Sequence, residues 1–274
     1  MGRERLSVRF KSNQEDDMPS LQQLFWKVWY QYISGRIGAD PVNFLNYGYM
    51  PPEGNMLELQ AEDEINRPAI QLYHHVASGA DLRNKDVLEV SCGHGGGASF
   101  IKRYHQPKTY TGIDQNPKAI ERNKKNYKHL DIDFRVGDAQ DLDFPENHFD
   151  AVINVEASHC YPRQDAFFKS AYRVLRQNGH LLYADFRTPE HTLRLEQDIT
   201  RAGFQIKSKT NITPHVVRAL QLTSERYRAL VHKLAPKFLR NAMEMFAAVE
   251  GTKIYNSFVN GERIYWNYQL VKAT

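Results

Sequence analysis

The chain has few cysteines and no long hydrophobic run. Its 274 residues include only two cysteines, Cys92 and Cys160, and no CxxC pair, so neither a disulfide framework nor a thioredoxin-like redox motif is expected. No stretch approaches the roughly 18 consecutive apolar residues that a membrane-spanning helix needs. The first twenty residues are charged throughout and lack the apolar segment of a signal peptide. We therefore expect a protein without a membrane span that works in the reducing cytoplasm.

The chain also lacks a concentrated charge of one sign. The net charge is only +4, and the densest basic run, RNKKNYKH at 122–129, is typical of a solvated helix face. Low-complexity segments and internal repeats are absent as well. Hydrophobic residues make up 41% of the chain and charged residues 25%, which is ordinary for a soluble domain with a sizeable core. Nucleic acid is therefore not an expected partner.

The middle of the chain alternates between strand-like and helix-like segments. Strands separated by helices of this length predict βαβ units, and hence a parallel sheet with right-handed crossovers. We expect strands at 86–91, 109–114, 132–139, 149–158, 180–186 and 204–212. We expect helices from the glycine turn through Tyr104 and over 117–127, 164–176 and 191–203, with Asn178-Gly179 as the C-cap of the third.

The segments on either side of this core have a different texture. The aromatic-rich stretch LQQLFWKVWYQYI at 21–33 predicts an amphipathic helix, and 58–78 predicts a helix that is interrupted or bent near Pro68. Residues 213–249 predict two or three helices, with Pro214 and Pro236 as breakers. Asn260-Gly261 predicts a hairpin before a final strand, Ile264 to Val271. The expected organisation is a flexible tail over 1–20, a helical lid over 21–78, a core over 79–212, a helical cap insertion over 213–250 and C-terminal strands over 251–274.

A glycine-rich turn follows the first strand of the core. The stretch VLEVSCGHGGG runs from Val87 to Gly97, with four glycines in its last five positions. Glycine lets backbone N–H groups approach a ligand because no Cβ stands in the way. The spacing is GxGGG rather than GxGxxG, and a glycine turn alone would fit any dinucleotide-binding protein.

Polar residues also end the next three strands. Asp114 ends the second strand, roughly 20 residues after the turn, where an acid can bind both hydroxyls of a ribose. Asp138 and Ala139 end the third strand, and NVEASH at 154–159 ends the fourth. A single aspartate after a strand is most often a helix cap. Because the carboxyl ends of parallel strands meet at one edge of the sheet, the four ends together predict a nucleoside site.

These stretches resemble the class I S-adenosylmethionine-dependent methyltransferases. The matching segments are VLEVSCGHGGG, YTGIDQNP, VGDAQDLDFPENHFDAVINVEASHCY and RVLRQNGHLLYADF. YHHVAS, NVEASHCYP, YADFR, FWKVWYQY and FLNYGY are further similar to the phthiotriol/phenolphthiotriol dimycocerosate methyltransferases and to related polyketide (microcystin-type) O-methyltransferases. The resemblance implies a Rossmann-like α/β fold with a seven-stranded, mostly parallel sheet, helices on both faces, a helical lid and a helical insertion before the last strand. Ser91 departs from the family pattern, which usually has its first glycine there.

The resemblance also implies residues that bind S-adenosylmethionine. Glu89 would bind the methionine amino group or stabilise the glycine turn, and Asp114 would bind the ribose. Tyr47 and Tyr49 resemble lid residues that touch the cofactor. The expected cofactor residues are Glu89, Ser91, Gly93, Gly95, Asp114, Gln115, Asn116, Asp138, Ala139, Gln140, Asn154, Val155, Glu156 and Tyr49. No resident metal is expected, because no clear carboxylate cluster accompanies them.

His159 is the candidate general base. An imidazole with an ordinary pKa near 6.5 is suited to accept a proton at neutral pH. Neighbouring strand ends lie about 5 Å apart, so Asp185 at the end of the fifth strand would orient the ring. Sugar and indolocarbazole O-methyltransferases resemble this arrangement. A histidine after a strand is otherwise more often structural.

The expected function is methylation of a hydroxyl group on a polyketide or peptide–polyketide product. The acceptor would be large and apolar, either free or tethered to a carrier protein, and the enzyme a homodimer. A carbon acceptor in a quinone or sterol would use the same fold and cofactor. A non-catalytic S-adenosylmethionine-binding interaction protein is an alternative of another class. An RNA methyltransferase has no support, because an RNA-binding module and a DPPY- or NPPY-type motif are missing.

Overall fold

The computed structural model describes residues 43–52 and 56–273. The expected tail over 1–20 and the expected aromatic helix at 21–33 lie outside the described residues.

The core is a seven-stranded sheet with the order β3-β2-β1-β4-β5-β7-β6. β1 to β5 pair in parallel, whereas β7 runs antiparallel to both β5 and β6. The strands are β1 Asp86–Val90, β2 Thr109–Asp114, β3 Asp133–Val136, β4 Phe149–Val155, β5 Leu175–Arg187, β6 Gln205–Asn211 and β7 Ile264–Val271. The expected seven-stranded, mostly parallel sheet is confirmed. Strand order reverses between β1 and β4, which is where open α/β sheets bind ligands.

Helices cover both faces of this sheet, as expected. In the described part of the chain they are α1 Arg67–Ala77, α2 Gly96–Tyr104, α3 Pro117–Asn126, α4 Gln164–Val174, α5 Pro189–Arg201, α6 Thr213–Leu234, α7 Arg240–Phe246 and α8 Lys253–Val259. One hydrophobic core contains Val87 of β1 together with side chains of α1, α2, α3, α6 and α8. The other contains Leu88 and Val90 together with side chains of α4 and α5. The two cores follow from the strand's period of two, which also places Glu89 on the α1 face.

Three helices and a short 3₁₀ turn separate β6 from β7. α6 and α7 are joined through Lys237–Leu239, so this segment is helical as expected. Pro236 follows the end of α6, in agreement with its role as a breaker. Pro214 instead lies in the first turn of α6, where the missing N–H costs nothing because that group has no helical partner.

Three local predictions are wrong. The helix expected from residue 58 starts only with a 3₁₀ turn at Glu64–Asn66. This turn gives way to α1 next to Pro68, so the helical segment is interrupted there, one of the two expected forms, and Pro68 lies in the first turn of α1 rather than at a bend. The C-cap expected at Asn178-Gly179 is absent, because α4 ends at Val174 and β5 has already begun. The hairpin expected around Asn260-Gly261 is the end of α8. Tyr255 and Phe258 are buried on that helix at a spacing of three, so packing overrides the strand preference of this aromatic-rich stretch.

Candidate active site

A cavity of about 520 Å³ lies beside the carboxyl ends of β1, β2, β3 and β4. Its volume is in the range of small-molecule and cofactor sites, about 300–1,000 Å³. Among the expected site residues, it is lined by Ser91, Gly93, Asp114, Gln115, Asn116, Asp138, Ala139, Gln140, Val155, Glu156 and His159. The four strand ends that were predicted to meet do meet.

The glycine turn curls around the end of β1 in a left-handed conformation. Ser91, Gly93 and Gly95 have φ values of +62°, +51° and +79°. The N–H of Gly93 donates to the Asp114 carboxylate at 2.9 Å. Gly95 begins α2 and faces away from the cavity, where a Cβ would lie 2.7 Å from the ring of Tyr127. Gly95 therefore shapes the turn rather than lining the cavity.

Ser91 occupies the position where similar sequences usually have glycine. Its φ is unfavourable for a residue with a Cβ. The Ser91 hydroxyl lies 2.6 Å from the hydroxyl of Tyr161, which also accepts a 2.9 Å hydrogen bond from the amide of Asn154. Asn154 donates in addition to the carbonyl of Val90 at 3.0 Å. Asn154 is fully buried, so it supports the turn from below instead of lining the cavity.

Glu89 lies beneath the turn. Its carboxylate accepts hydrogen bonds from the hydroxyls of Tyr73 at 2.8 Å and Tyr110 at 2.9 Å, and only 1% of the residue is exposed. Burial raises the pKa of Glu89 to about 7. A Cβ on Gly97 would lie 2.1 Å from the ring of Tyr73, which explains the last glycine of the motif. Of the two roles expected for Glu89, this geometry accords with stabilisation of the turn.

Asp114 is a buried carboxylate at the end of β2. It accepts from the N–H groups of Gly93 and Asn116, both at 2.9 Å. Burial raises the pKa of Asp114, and these two hydrogen bonds oppose the rise. Asn116 caps α3 through its side-chain oxygen, while its Nδ2 is buried without a hydrogen-bond partner in the structure.

The third strand end supplies a polar and an apolar side chain. Asp138 accepts from the backbone N–H of Gln140 at 2.9 Å, and the side-chain oxygen of Gln140 accepts from the N–H of Arg163 at 2.8 Å. Ala139 is buried between them against the second core. This arrangement presents a flat apolar wall beside hydrogen-bonding groups, which suits a heteroaromatic base.

Glu156 stands at the end of β4 with a φ of +52°. Its Oε2 accepts from the backbone N–H of Tyr47 at 2.9 Å and from the hydroxyl of Tyr265 at 2.8 Å. Burial raises the pKa of Glu156 to about 8. Through these hydrogen bonds, the carboxyl group at the end of β4 connects the segment around Tyr47 with β7.

His159 and Asp185 form a close pair at the rim of the cavity. His159 Nδ1 lies 2.8 Å from Asp185 Oδ1, and the His159 N–H donates to Oδ2 at 2.9 Å. Asp185 is fully buried, whereas 28% of the His159 side chain is exposed. Burial lowers the pKa of His159, but the charge of Asp185 outweighs it and holds that pKa well above its usual value. Nδ1 is hydrogen-bonded to the carboxylate, so Nε2 is the ring nitrogen that is left to exchange a proton with a substrate.

A buried network that sequence reasoning missed stands behind Asp185. Arg187 Nη1 lies 3.1 Å from Asp185 Oδ2, and the hydroxyl of Ser158 donates to the same oxygen at 2.9 Å. Burial would raise the pKa of Asp185, but the charges of Arg187 and His159 hold it far below its usual range. Asp185 and Arg187 are two residues apart on β5 and therefore share a face of the strand. The sequence DFR within YADFR could thus have predicted that Arg187 lies beside Asp185.

The structure does not bring Tyr49 to the cavity. Tyr49 is 8% exposed and stacks on His75 with ring centroids 4.4 Å apart. Tyr49 is not among the residues that line the cavity, whereas Tyr47, which was also expected to touch the cofactor, lines it. Gly48 between the two tyrosines has a φ of +82°, so their side chains do not follow the alternation of an extended strand, and contacts with the core decide which one faces the cavity.

Residues 43–52 and 56–273 contain neither a cluster of metal ligands nor a membrane-spanning helix. Within these residues, no group of three or more His, Cys, Asp and Glu side chains is placed to hold a metal ion. The helices of the same residues include none that is long and apolar enough to cross a membrane.

Comparisons with known proteins agree with this geometry. A family model described as a methyltransferase domain matches residues 88–183. A phthiotriol/phenolphthiotriol dimycocerosates methyltransferase from Mycobacterium leprae is 40% identical over 253 residues, which cover 92% of this chain and 94% of that protein. A fatty-acid O-methyltransferase from Mycolicibacterium smegmatis is 40% identical over 248 residues, 90% of this chain and 89% of that protein.

A solved structure supports the fold. The geranyl diphosphate C-methyltransferase from Streptomyces coelicolor A3(2), in complex with Mg²⁺, geranyl diphosphate and S-adenosyl-L-homocysteine, superposes with a TM-score of 0.62 at 15% identity. The match covers 89% of this chain and 98% of that one.

Proposed function

The chain belongs to the family of S-adenosylmethionine-dependent methyltransferases that includes the phthiotriol/phenolphthiotriol dimycocerosates methyltransferases, and on that premise we propose that it methylates a hydroxyl group of a polyketide or peptide–polyketide product. It is an enzyme that acts on lipid-like or polyketide-like substrates. The observation that carries the finer proposal is the His159–Asp185 pair, with its 2.8 Å contact at the rim of the cavity.

The residues of the cavity fit S-adenosylmethionine. The Asp114 carboxylate would accept hydrogen bonds from the ribose hydroxyls, and Asp138, Ala139 and Gln140 would surround the adenine. The buried Nδ2 of Asn116 has no hydrogen-bond partner among the residues that the structure describes, which marks a donor available to a polar ligand. When bound, the cofactor supplies a methyl group on a sulfonium, which is already a strong electrophile.

His159 would remove the proton of the acceptor hydroxyl. An aliphatic hydroxyl is a poor nucleophile at neutral pH, so a positioned base contributes roughly 10²–10⁴-fold. Neutral Nε2 accepts the proton, and Asp185 stabilises the resulting imidazolium through Nδ1. Arg187 and Ser158 keep the Asp185 carboxylate ionised and in place, so the ring has one orientation towards the cavity.

A carboxylate acceptor is the second candidate. It is favoured by the similarity to a fatty-acid O-methyltransferase and by the raised pKa of His159. A carboxylate is already deprotonated and needs no base, and a protonated His159 would bind it as a cation. A carbon acceptor, as in a quinone or sterol, would make less use of the pair. Substituting His159 therefore separates these functions.

The test combines binding and turnover. We expect wild type and His159→Ala to bind S-adenosylhomocysteine with similar affinity in calorimetric titration. For a long-chain alcohol with labelled S-adenosylmethionine, His159→Ala should lower kcat by roughly 10²–10⁴-fold, because the base is lost. For a fatty acid it should instead raise KM with a smaller effect on kcat. Unchanged turnover of the alcohol in His159→Ala would contradict the proposed base.

Asp114→Ala tests the cofactor site in the same titration. Loss of a charge-assisted hydrogen bond costs about 1.5–3 kcal/mol, so the affinity for S-adenosylhomocysteine should fall roughly 10- to 100-fold. The matched control is the exposed Asp131→Ala, which should bind as wild type does. Equal binding by Asp114→Ala would mean that the ribose lies elsewhere.

A further inference from the structure

A second, smaller cavity lies next to the first, between the segment 43–47 and helices α6 and α7. Its volume is about 90 Å³. We refer to it as the apolar slot; it is lined by Phe44, Leu45, Asn46, Tyr47, Tyr227, Leu230, Val231, Leu234, Met243, Phe246 and Ala247. Neither the cofactor site nor the His159–Asp185 pair uses its α6 residues.

The polar groups of Tyr47 and Asn46 on the wall of the slot are already engaged in hydrogen bonds. The hydroxyl of Tyr47 donates to the carbonyl of Phe246 at 3.2 Å. Asn46 accepts from the N–H of Gly48 at 2.9 Å and donates to the carbonyl of Ala69 at 3.4 Å. α6 and α7 present the rings of Tyr227 and Phe246 together with aliphatic and thioether surface, of which Leu230, Leu234 and Met243 are only half-buried. Unfilled apolar surface of this kind favours a hydrocarbon occupant over a polar one.

The slot and the cofactor cavity share a wall. Phe44, Leu45, Asn46, Tyr47 and Phe246 line both of them. The ring of Tyr47 stacks on Phe186 at 5.6 Å, and Phe186 packs against His159 at 4.4 Å. The rings of Tyr47 and Phe186 therefore connect the wall of the slot to the ring of His159.

We propose that the apolar slot binds a linear hydrocarbon segment of the acceptor while the reactive oxygen lies beside His159. The inference deepens the proposed function and rests on it for the identity of the reacting group. A narrow cavity between one extended segment and two helices suits a chain better than the fused rings of a sterol or the ring of a quinone. The slot would thus select acceptors whose methylated oxygen is attached to an unbranched chain.

The test fills the slot without touching the cofactor cavity. The probe is cis-parinaric acid, a linear fluorescent fatty acid, titrated into protein saturated with S-adenosylhomocysteine. Leu234→Trp replaces an aliphatic side chain of the slot with a bulky indole ring. Because the ring occupies the slot, probe binding should weaken at least tenfold. Leu222→Trp is the matched control, because Leu222 lies on the same helix and is 61% exposed; its probe binding should equal that of wild type. All three proteins should bind S-adenosylhomocysteine equally, which shows that the fold is intact.

The outcomes separate this inference from the proposed function. Probe binding by Leu234→Trp that equals wild type, or no binding by wild type, would overturn the slot as a chain site. Binding of cholesterol in competition with the probe at equal strength would overturn its preference for linear chains. If the probe binds as expected but no long-chain alcohol or acid receives a methyl group, the slot is still a binding site for a hydrocarbon chain, and it is the proposed reaction that is contradicted.

Discussion

At the scale of single residues, Asp185 and Arg187 determine what His159 can do. A buried carboxylate without partners would be costly, yet Asp185 is held between a guanidinium at 3.1 Å and an imidazole at 2.8 Å. The carboxylate therefore stays ionised and favours the protonated imidazole. Part of its charge is offset by Arg187, so a proton taken up by His159 can leave again after the methyl group has been transferred.

The pH dependence of turnover follows from the raised pKa of His159. Burial lowers that pKa, but Asp185 holds it well above its usual value, so the neutral base becomes available only as the pH rises above about 6.5. For an alcohol acceptor, kcat/KM should therefore rise as the pH increases above about 6.5. Asp185→Asn should move the midpoint to lower pH and reduce the plateau, because the ring loses its orientation.

Steady-state pH profiles check this prediction. The control is Asp165→Asn, which removes a surface ion pair with Lys169 and should leave the profile unchanged. For a fatty acid the profile should run the other way, since a protonated His159 binds the carboxylate. An alcohol profile whose midpoint does not respond to Asp185→Asn would exclude His159 as the titrating base.

At the scale of elements, the turn from β1 into α2 uses a left-handed serine. A residue with a Cβ in this conformation costs about 1–2 kcal/mol. The hydrogen bond between Ser91 and Tyr161 offsets about 0.5–1.5 kcal/mol of that cost. It also ties the segment after β4 to the turn, so that two strand ends of the cavity are held together.

Substitutions at Ser91 separate these two effects. Ser91→Ala keeps the unfavourable φ and loses the hydrogen bond, so it should lower the free energy of unfolding by about 1 kcal/mol. Ser91→Gly loses the same bond but relieves the strain, so it should remain within about 0.5 kcal/mol of wild type. Urea unfolding measures both. Equal destabilisation by the two substitutions would show that the backbone at Ser91 is not strained.

At the scale of the whole molecule, Glu156 connects parts of the chain that are far apart in sequence. It accepts hydrogen bonds from Tyr47 and Tyr265, each 109 residues away. Tyr47 in turn donates to Phe246 in the helical insertion. The cofactor cavity and the apolar slot therefore share a wall that depends on one carboxyl group.

Stability should depend on pH through the same group. Burial raises the pKa of Glu156 to about 8 and that of Glu89 to about 7. At these two groups the folded state binds more protons than the unfolded state, so their contribution to the free energy of unfolding should fall as the pH rises from about 4.5 to 8. Glu156→Gln should flatten this decline, because the amide keeps an acceptor oxygen but does not titrate.

Thermal or urea unfolding at several pH values measures the slope. The exposed Glu190→Gln is the control and should keep the decline of wild type. A Glu156→Gln protein with the same slope as wild type would mean that Glu156 is ionised in the folded state at neutral pH.

Much of the core could be predicted from the sequence alone. β2 and β7 have the predicted ends, Thr109–Asp114 and Ile264–Val271. Alternating apolar runs and glycine breaks are local signals, and a parallel sheet follows from the order of strands and helices. The same local logic predicted that four strand ends would meet, because all parallel strands end at one edge.

Other features were decided only by the tertiary structure. The segment around Tyr255 forms a helix because its aromatic side chains are buried against the sheet, and Tyr47 rather than Tyr49 faces the cavity because of a contact with Glu156. The apolar slot exists only where the segment 43–47 meets α6 and α7. Sequence patterns report the periodicity of nearby residues, whereas these features depend on contacts across more than a hundred residues, whose partners no local pattern identifies.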